Sequence, residues 1–129
     1  MNTHMTARAF TAERGVLSEV RRFVAGEATR HSFASHVPDL EVAVTEACSN
    51  SIVHSGTQEF RVSINAVGSC LEITVEDDGI YNRTIPVPEV DGKGHRGLHL
   101  MAALVDDFSL QHGTERRQGT VVRLVKCKD

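Results

Sequence analysis

Apolar side chains recur at intervals of three and four within residues 38–55, which places them on one side of an α-helix. The positions on this side are Leu40, Ala43, Val44, Ala47, Cys48, Ser51 and Ile52. Pro38 pre-sets the first helical turn, and Asp39 puts a negative charge at the positive end of the helix dipole. We therefore predict a helix over this range, ended by Ser55-Gly56, with this side packed on a core.

The period changes from 3.6 to 2 after this helix. Apolar and polar residues alternate over 60–66 and again over 71–75, as in strands with one buried face. Residues 67–69 are a turn signal, so we predict an antiparallel hairpin. Asp77 lies an even number of positions after Leu71, so in one continuous strand both side chains point to the same face of the sheet. If the strand continues, its carboxylate points to the core side, where a charge needs a donor from the protein or from a ligand.

The remaining pattern predicts two more helices and three more strands. They are a strand beginning at Phe10, a helix over 13–29, a loop over 79–96, a helix opening at Gly97, a strand over 108–112 and a strand over 121–126 introduced by Gly119-Thr120. This order indicates an α+β fold, a two-layer sandwich in which about three helices cover one face of a mixed, mainly antiparallel sheet. We expect residues 1–9 to be a flexible N-terminus and 10–129 to be a single domain.

The composition narrows the class of partner. The formal net charge is -3, the pI is about 6.1 and the Lys and Arg residues are scattered, so we predict no direct DNA binding and expect protein or small-molecule partners. No apolar run approaches the ~18 residues of a membrane span, and residues 1–8 lack the apolar stretch of a signal peptide. We therefore expect a cytoplasmic protein that does not enter the membrane.

The three cysteines are Cys48, Cys70 and Cys127, and none of them forms a C-x-x-C pair. An odd number of cysteines fits a reduced cytosolic chain better than a disulfide framework. We therefore predict that all three are small buried side chains.

A polar stripe borders the apolar side of the helix predicted over 38–55. Glu46, Asn50 and His54 follow one another at intervals of four, and Glu46 lies about 100° of helical rotation from Ala47. A carboxylate and an amide at such an edge face a cavity between the helix and its neighbour. Three further features follow along the chain: Asp77-x-Gly79 at a strand end, Gly94-x-x-Gly97 at a helix start and Gly119-Thr120 before the last strand.

Together these features indicate a purine nucleotide site, although each is common on its own. Asp77 can accept a hydrogen bond from an exocyclic amino group, and Gly79 lets a flat base approach the backbone. Glycines before the helix at Gly97 let its free N–H groups meet phosphates at the positive end of the dipole. Asn50 offers an amide oxygen to a Mg²⁺ ion that bridges the phosphates, and Glu46 can activate a hydroxyl or a water molecule.

The four motifs in this order resemble the histidine-kinase-like ATPase superfamily and, within it, the small anti-sigma-factor serine kinases of bacterial partner-switching systems. They read VTEACSNSIVHS from Val44, ITVEDDG from Ile73, GHRGLHLM from Gly94 and GTVVRL from Gly119, and the resemblance covers roughly residues 10–126. It implies a layered fold that binds ATP and Mg²⁺ beneath a lid. It also implies a sigma factor and an anti-sigma-factor antagonist as partners, phosphorylation of a serine or threonine of the antagonist, and a homodimer.

The resemblance also assigns roles by position. It implies Asn50 as the magnesium ligand, Glu46 as the catalytic base and Asp77 as the adenine-binding acid. The other positions implied to bind the nucleotide are Gly79, Gly94, Arg96, Gly97, Leu98 and Thr120.

Two positions depart from the glycine motifs of this family. Tyr81 stands at the last glycine of D-x-G-x-G, and His95 takes the place of the first glycine of a Gly-x-Gly. Because only glycine lacks a Cβ, these side chains oppose the usual backbone bend around phosphates.

An alternative is therefore a non-kinase binding module of the same fold, which binds a sigma factor or antagonist and is controlled by another nucleotide such as a cyclic dinucleotide. The phosphate contacts would then come from Arg83, Lys93, His95 and Arg96. A third interpretation, the detached catalytic domain of a sensor histidine kinase, is disfavoured because we find no dimerisation helix pair or phosphoacceptor segment.

Overall fold

The structure is a computed structural model that describes residues 4–54, 58–77, 93–111 and 119–128. Within these ranges it gives the backbone alone for His4, Val53, His54 and residues 93–98.

Within the described residues five strands form one sheet in the order β1-β2-β3-β5-β4, and all four neighbouring pairs are antiparallel. The strands are β1 (His4–Thr11), β2 (Glu59–Val67), β3 (Cys70–Asp77), β4 (Asp107–Gln111) and β5 (Thr120–Cys127). β2 and β3 form the predicted hairpin. β3 and β5 are neighbours in the sheet although a helix and β4 separate them in sequence, so this pairing joins distant parts of the chain.

In the part of the chain that the structure describes, three α-helices accompany the sheet: α1 (Leu17–Arg30), α2 (Val37–His54) and α3 (Lys93–Leu104). Single 3-10 turns at Arg14–Val16 and Ala34–His36 precede α1 and α2. α2 is the central helix, because it packs against both α1 and α3 and also against β3 and β5.

The core lies between the helices and one face of the sheet. Along β3 the buried residues alternate with half-buried ones, as the sequence pattern predicts. The largest buried side chains are Phe33, Leu40, Phe60, Ile64, Leu71, Ile73, Met101 and Leu124. The opposite face carries cross-strand ion pairs, from Arg61 to Glu76 and from Arg123 to Glu72. The predicted α+β sandwich is therefore confirmed, with an antiparallel sheet.

Some boundaries differ from the prediction. β1 begins at His4 rather than Phe10, so residues 4–9, predicted to be flexible, form an edge strand against β2. Ala7 and Ala9 lie on the polar face of the sheet, opposite Ser63 and Arg61. Because these small residues stand where polar ones are expected, the alternation typical of a strand is not visible in the sequence of β1. α3 begins at Lys93, four residues before Gly97, so the end of the predicted loop is helical. The rest of that loop, residues 79–92, lies outside the described residues.

The prediction for the cysteines is right for Cys48, which is buried, and wrong for the other two. Cys70 and Cys127 form a disulfide between β3 and β5. The register of the two strands places these residues directly opposite each other, with their Cα atoms 3.9 Å apart. Both are half-buried, on the same face of the sheet as Glu72. The bridge was missed because the sequence spacing does not reveal that β3 and β5 are neighbours.

Candidate functional site

A buried carboxylate marks one end of the sheet. Asp77 is the last residue of β3, and its side chain is directed toward the helices with only 5% of its surface exposed. The hydroxyl of Ser51 on α2 donates a hydrogen bond to Asp77 Oδ2 over 2.8 Å. A buried carboxylate is costly without such donors. The predicted inward orientation of Asp77 is therefore confirmed, and the protein itself supplies a hydrogen-bond donor to its carboxylate.

α2 also carries the other polar candidates, Asn50 and Glu46. Asn50 directly precedes Ser51, and Glu46 lies one helical turn before Asn50. Glu46 and Asn50 are both half-buried, as expected for residues that border the buried side of a helix. The acid and the amide therefore border the buried side of α2 to which Ser51 belongs.

Thr120 approaches the carboxylate from the neighbouring strand. It is the first residue of β5, is half-buried and lies opposite Asp77 in the antiparallel register. Gly119 precedes it with a φ of 114°, a backbone conformation that residues with a Cβ rarely adopt. The Gly119-Thr120 motif therefore sets how the chain enters β5 beside Asp77.

One contact shows where α3 ends relative to the sheet. Lys126 Nζ donates to the carbonyl oxygen of Leu104 over 3.3 Å, so the last residue of α3 lies near the disulfide end. The helix has 12 residues, about 18 Å in length, and packs on α2. α3 therefore ends beside the disulfide end of β5 and lies against the helix that carries Ser51.

Several predicted site residues are placed only in part. Gly79 and Tyr81 lie outside the described residues, so their roles stay predictions. Four of the predicted nucleotide-binding residues belong to the first two turns of α3, for which the backbone alone is described: Gly94, Arg96, Gly97 and Leu98.

Ser51 is the site residue that sequence reasoning missed. The periodicity assigned it to the apolar side of α2, and it is indeed 5% exposed. The available signal was chemical, because a hydroxyl on a stripe of buried apolar residues needs a hydrogen-bond partner. The nearest candidate in the sequence pattern was the inward-pointing Asp77.

Cys48 lies on the same helix but offers no nucleophile. Burial raises the pKa of its thiol by desolvating the charged thiolate, so the group stays neutral at physiological pH. Its role is packing within the core.

Comparison with known proteins identifies the family. Residues 10–126 match the family described as the histidine kinase-like ATPase domain, which is most of the chain. This chain belongs to the histidine kinase-like ATPase family. The resemblance seen in the four sequence motifs is confirmed.

One relative resembles this chain in sequence and one solved structure resembles it in fold. The serine-protein kinase RsbW of Bacillus licheniformis is 30% identical over 109 residues, which cover 71% of this chain and 68% of that protein. The histidine kinase AdeS of Acinetobacter baumannii has a solved structure that matches with a TM-score of 0.51 over 96% of this chain and 68% of that chain. Its sequence identity is 11%, so this second likeness concerns the fold alone.

This histidine kinase-like ATPase domain contains, among its described residues, no helix that is both long and apolar enough to span a membrane. In the same described ranges no three or more His, Cys, Asp and Glu side chains are grouped closely enough to hold a metal ion.

Proposed function

We propose that this protein binds ATP with Mg²⁺, sequesters a sigma factor and phosphorylates an antagonist protein of that sigma factor. One observation carries the proposal: the buried carboxylate of Asp77 accepts a hydrogen bond from Ser51 beside Asn50, and lies opposite Thr120. Membership of the histidine kinase-like ATPase family and the 30% identity to a serine-protein kinase support the same activity.

The adenine side of the site is assigned to Asp77 and Thr120. A carboxylate accepts a hydrogen bond from the 6-amino group of adenine, and a threonine hydroxyl can donate one to a ring nitrogen. Both residues stand at adjacent strand ends, so the sheet fixes their separation. Gly79, the next glycine along the chain, is assigned to the approach of the base to the backbone.

The phosphate side is assigned to α2 and to the start of α3. Asn50 would hold Mg²⁺ through its amide oxygen, and the ion supplies neutralisation of phosphate charge when it is bound. The helix N-terminus with Gly94 and Gly97 would receive the phosphates, assisted by the guanidinium of Arg96. Leu98 would border the nucleotide on the same turn of the helix.

Glu46 is assigned as the general base. It lies one turn from Asn50 on the same helix, is half-buried and is an acceptor when ionised. In this role its carboxylate would take the proton of the attacking serine or threonine hydroxyl. Phosphoryl transfer depends mostly on positioning and charge neutralisation, and a rigid helix that carries both groups supplies the positioning.

The macromolecular partners follow from the resemblance to the anti-sigma-factor kinases, which is supported by the similarity to a serine-protein kinase. Direct DNA binding is not part of the proposal, because the net charge is -3 and the basic residues are scattered. A cytoplasmic location and a homodimer are proposed on the same resemblance; in a reducing cytosol Cys70 and Cys127 would be present as two neighbouring thiols.

Transfer of labelled phosphate from γ-labelled ATP to the antagonist tests the proposal. We expect Glu46→Ala to abolish transfer while Mg-ATP binding stays within a few fold of wild type. Glu41→Ala, a half-buried carboxylate earlier on α2, is the matched control and should keep both activities. Transfer at the wild-type rate by Glu46→Ala would show that another group acts as the base.

The alternative, a binding module without kinase activity, is favoured by Tyr81 and His95 in the glycine motifs. In that case wild-type protein would bind the sigma factor or the antagonist but would transfer no phosphate. Restoring glycine at both positions would then be expected to raise ATP affinity. The kinase proposal expects wild-type protein to transfer phosphate without these changes.

A further inference from the structure

Ser51 is a polar residue on an otherwise apolar stripe of α2. Its neighbours one turn back on the helix, Ala47 and Cys48, are fully buried, and Ser51 itself is 5% exposed. An alanine would serve the helix and the packing at least as well, because serine has the lower helix propensity and its hydroxyl must be desolvated. The hydroxyl is therefore explained by its partner, Asp77.

The hydrogen bond fixes the carboxylate from one side. Ser51 has a short side chain on a helix that packs against β3, so its Oγ has little freedom. Asp77 is held by the register of β3 between β2 and β5. With Oδ2 tied to Ser51 over 2.8 Å, rotation of the carboxylate plane is restricted, and the group is presented to a ligand as an acceptor in one orientation.

We propose that Ser51 is a positioning residue that sets the preference of the site for a 6-aminopurine over other purines. The inference rests on the proposed ATP site. A fixed carboxylate accepts a hydrogen bond from the 6-amino group of adenine. It gains no hydrogen bond from a purine with hydrogen at position 6, and a 6-oxo group would place a second acceptor against it. Sites built to hydrogen-bond one group discriminate strongly against analogues that lack it. Loss of the Ser51 hydroxyl removes one constraint on the orientation of the carboxylate and so reduces this discrimination.

Equilibrium titration of wild type and Ser51→Ala with three magnesium nucleotides tests the role. The nucleotides are ATP, purine riboside triphosphate with hydrogen at position 6, and inosine triphosphate with a 6-oxo group. Wild type should prefer ATP over both. Ser51→Ala should lose about tenfold in affinity for ATP, the scale of a hydrogen bond to a charged group, and nothing for purine riboside triphosphate. The selectivity ratio therefore falls, which a general loss of structure does not produce.

Two further variants secure the test. Ser51→Cys keeps nearly the same volume but has a weak donor, so it should lose selectivity as Ser51→Ala does, even if the alanine variant folds poorly. Ser49→Ala, a half-buried serine on the same helix, should behave as wild type.

The outcomes separate the two proposals. If wild type prefers ATP and both Ser51 variants keep that preference, the role of Ser51 is refuted and the ATP site stands. If wild type binds all three nucleotides equally, or binds none, the adenine assignment of Asp77 fails and the role of Ser51 fails with it.

Discussion

The Cys70–Cys127 disulfide predicts a large and specific loss of stability on reduction. The bridge joins residues 57 positions apart. Cys70 is the first residue of β3 and Cys127 the last residue of β5, and they face each other at one end of the pairing between these strands. Replacing both cysteines by serine removes the covalent link but leaves the strand pairing. Both side chains are half-buried on the polar face of the sheet, so serine introduces little packing change.

The magnitude follows from the length of the closed loop. In the chain-entropy treatment a loop of this length reduces the entropy of the unfolded chain by roughly 14 cal/mol/K, which corresponds to about 4 kcal/mol at 25 °C. For a chain of this size the same loss corresponds to a fall in melting temperature of roughly 15 °C. This is a large share of the 5–15 kcal/mol that is typical of a whole domain.

Urea unfolding of four samples measures the effect. Wild type and the double serine variant are each unfolded with and without a dithiol reductant. We expect oxidised wild type to be the most stable sample and reduced wild type to be about as stable as the variant. The reductant should leave the stability of the variant unchanged. Free-thiol counting under denaturing conditions should find one thiol in oxidised wild type, that of Cys48. Three free thiols in protein purified without reductant, or equal stability of all four samples, would refute the reasoning.

Further predictions concern the core, the buried thiol and an exposed ion pair. Leu40→Ala removes a fully buried side chain and should cost about 2–5 kcal/mol in urea unfolding, whereas Val42→Ala on the same helix, 42% exposed, should cost under about 0.5 kcal/mol. Burial raises the pKa of the Cys48 thiol, so above the ordinary thiol pKa of about 8.5 the unfolded chain loses this proton and the folded chain keeps it. The free energy of unfolding should therefore fall as pH rises beyond that value, and Cys48→Ala should lack this part of the pH dependence. Glu72→Gln breaks the 2.8 Å contact with Arg123 on the polar face of the sheet and should lower the urea midpoint only slightly, an effect that added salt diminishes. A loss as large as that of Leu40→Ala would contradict the assignment of an exposed pair.

Local pattern predicted those parts of the fold in which packing on one face dictates the residue type. The hairpin of β2 and β3 has one wet and one buried face, so the alternation gave both strands within a residue or two of their ends. The same parity gave the inward direction of Asp77. The border position of Glu46 and Asn50 on α2 likewise follows from the helical period alone.

Features that depend on distant neighbours were not predictable in this way. β1 is held by hydrogen bonds to β2, and its small residues Ala7 and Ala9 give little period. The disulfide depends on the pairing of β3 with β5, which no local signal announces. α3 begins before Gly97 although glycine is a poor helix former, so local propensity does not decide where this helix starts.

Ser51 illustrates a different limit. Periodicity places a residue on a face but does not say why a hydroxyl stands among apolar side chains. The reason appears only when the helix and the strand end are brought together and the 2.8 Å contact to Asp77 is formed.

Equilibrium titration with Mg-ATP tests most directly whether Asp77 and its neighbours form an ATP site. We expect saturable binding by wild type and at least a tenfold loss for Asp77→Asn, which keeps the shape of the side chain but removes the charged acceptor. Glu76→Gln, the preceding residue on the opposite face of β3, should bind as wild type does. Absence of wild-type binding at millimolar Mg-ATP, or equal affinity of wild type and Asp77→Asn, would contradict the assignment.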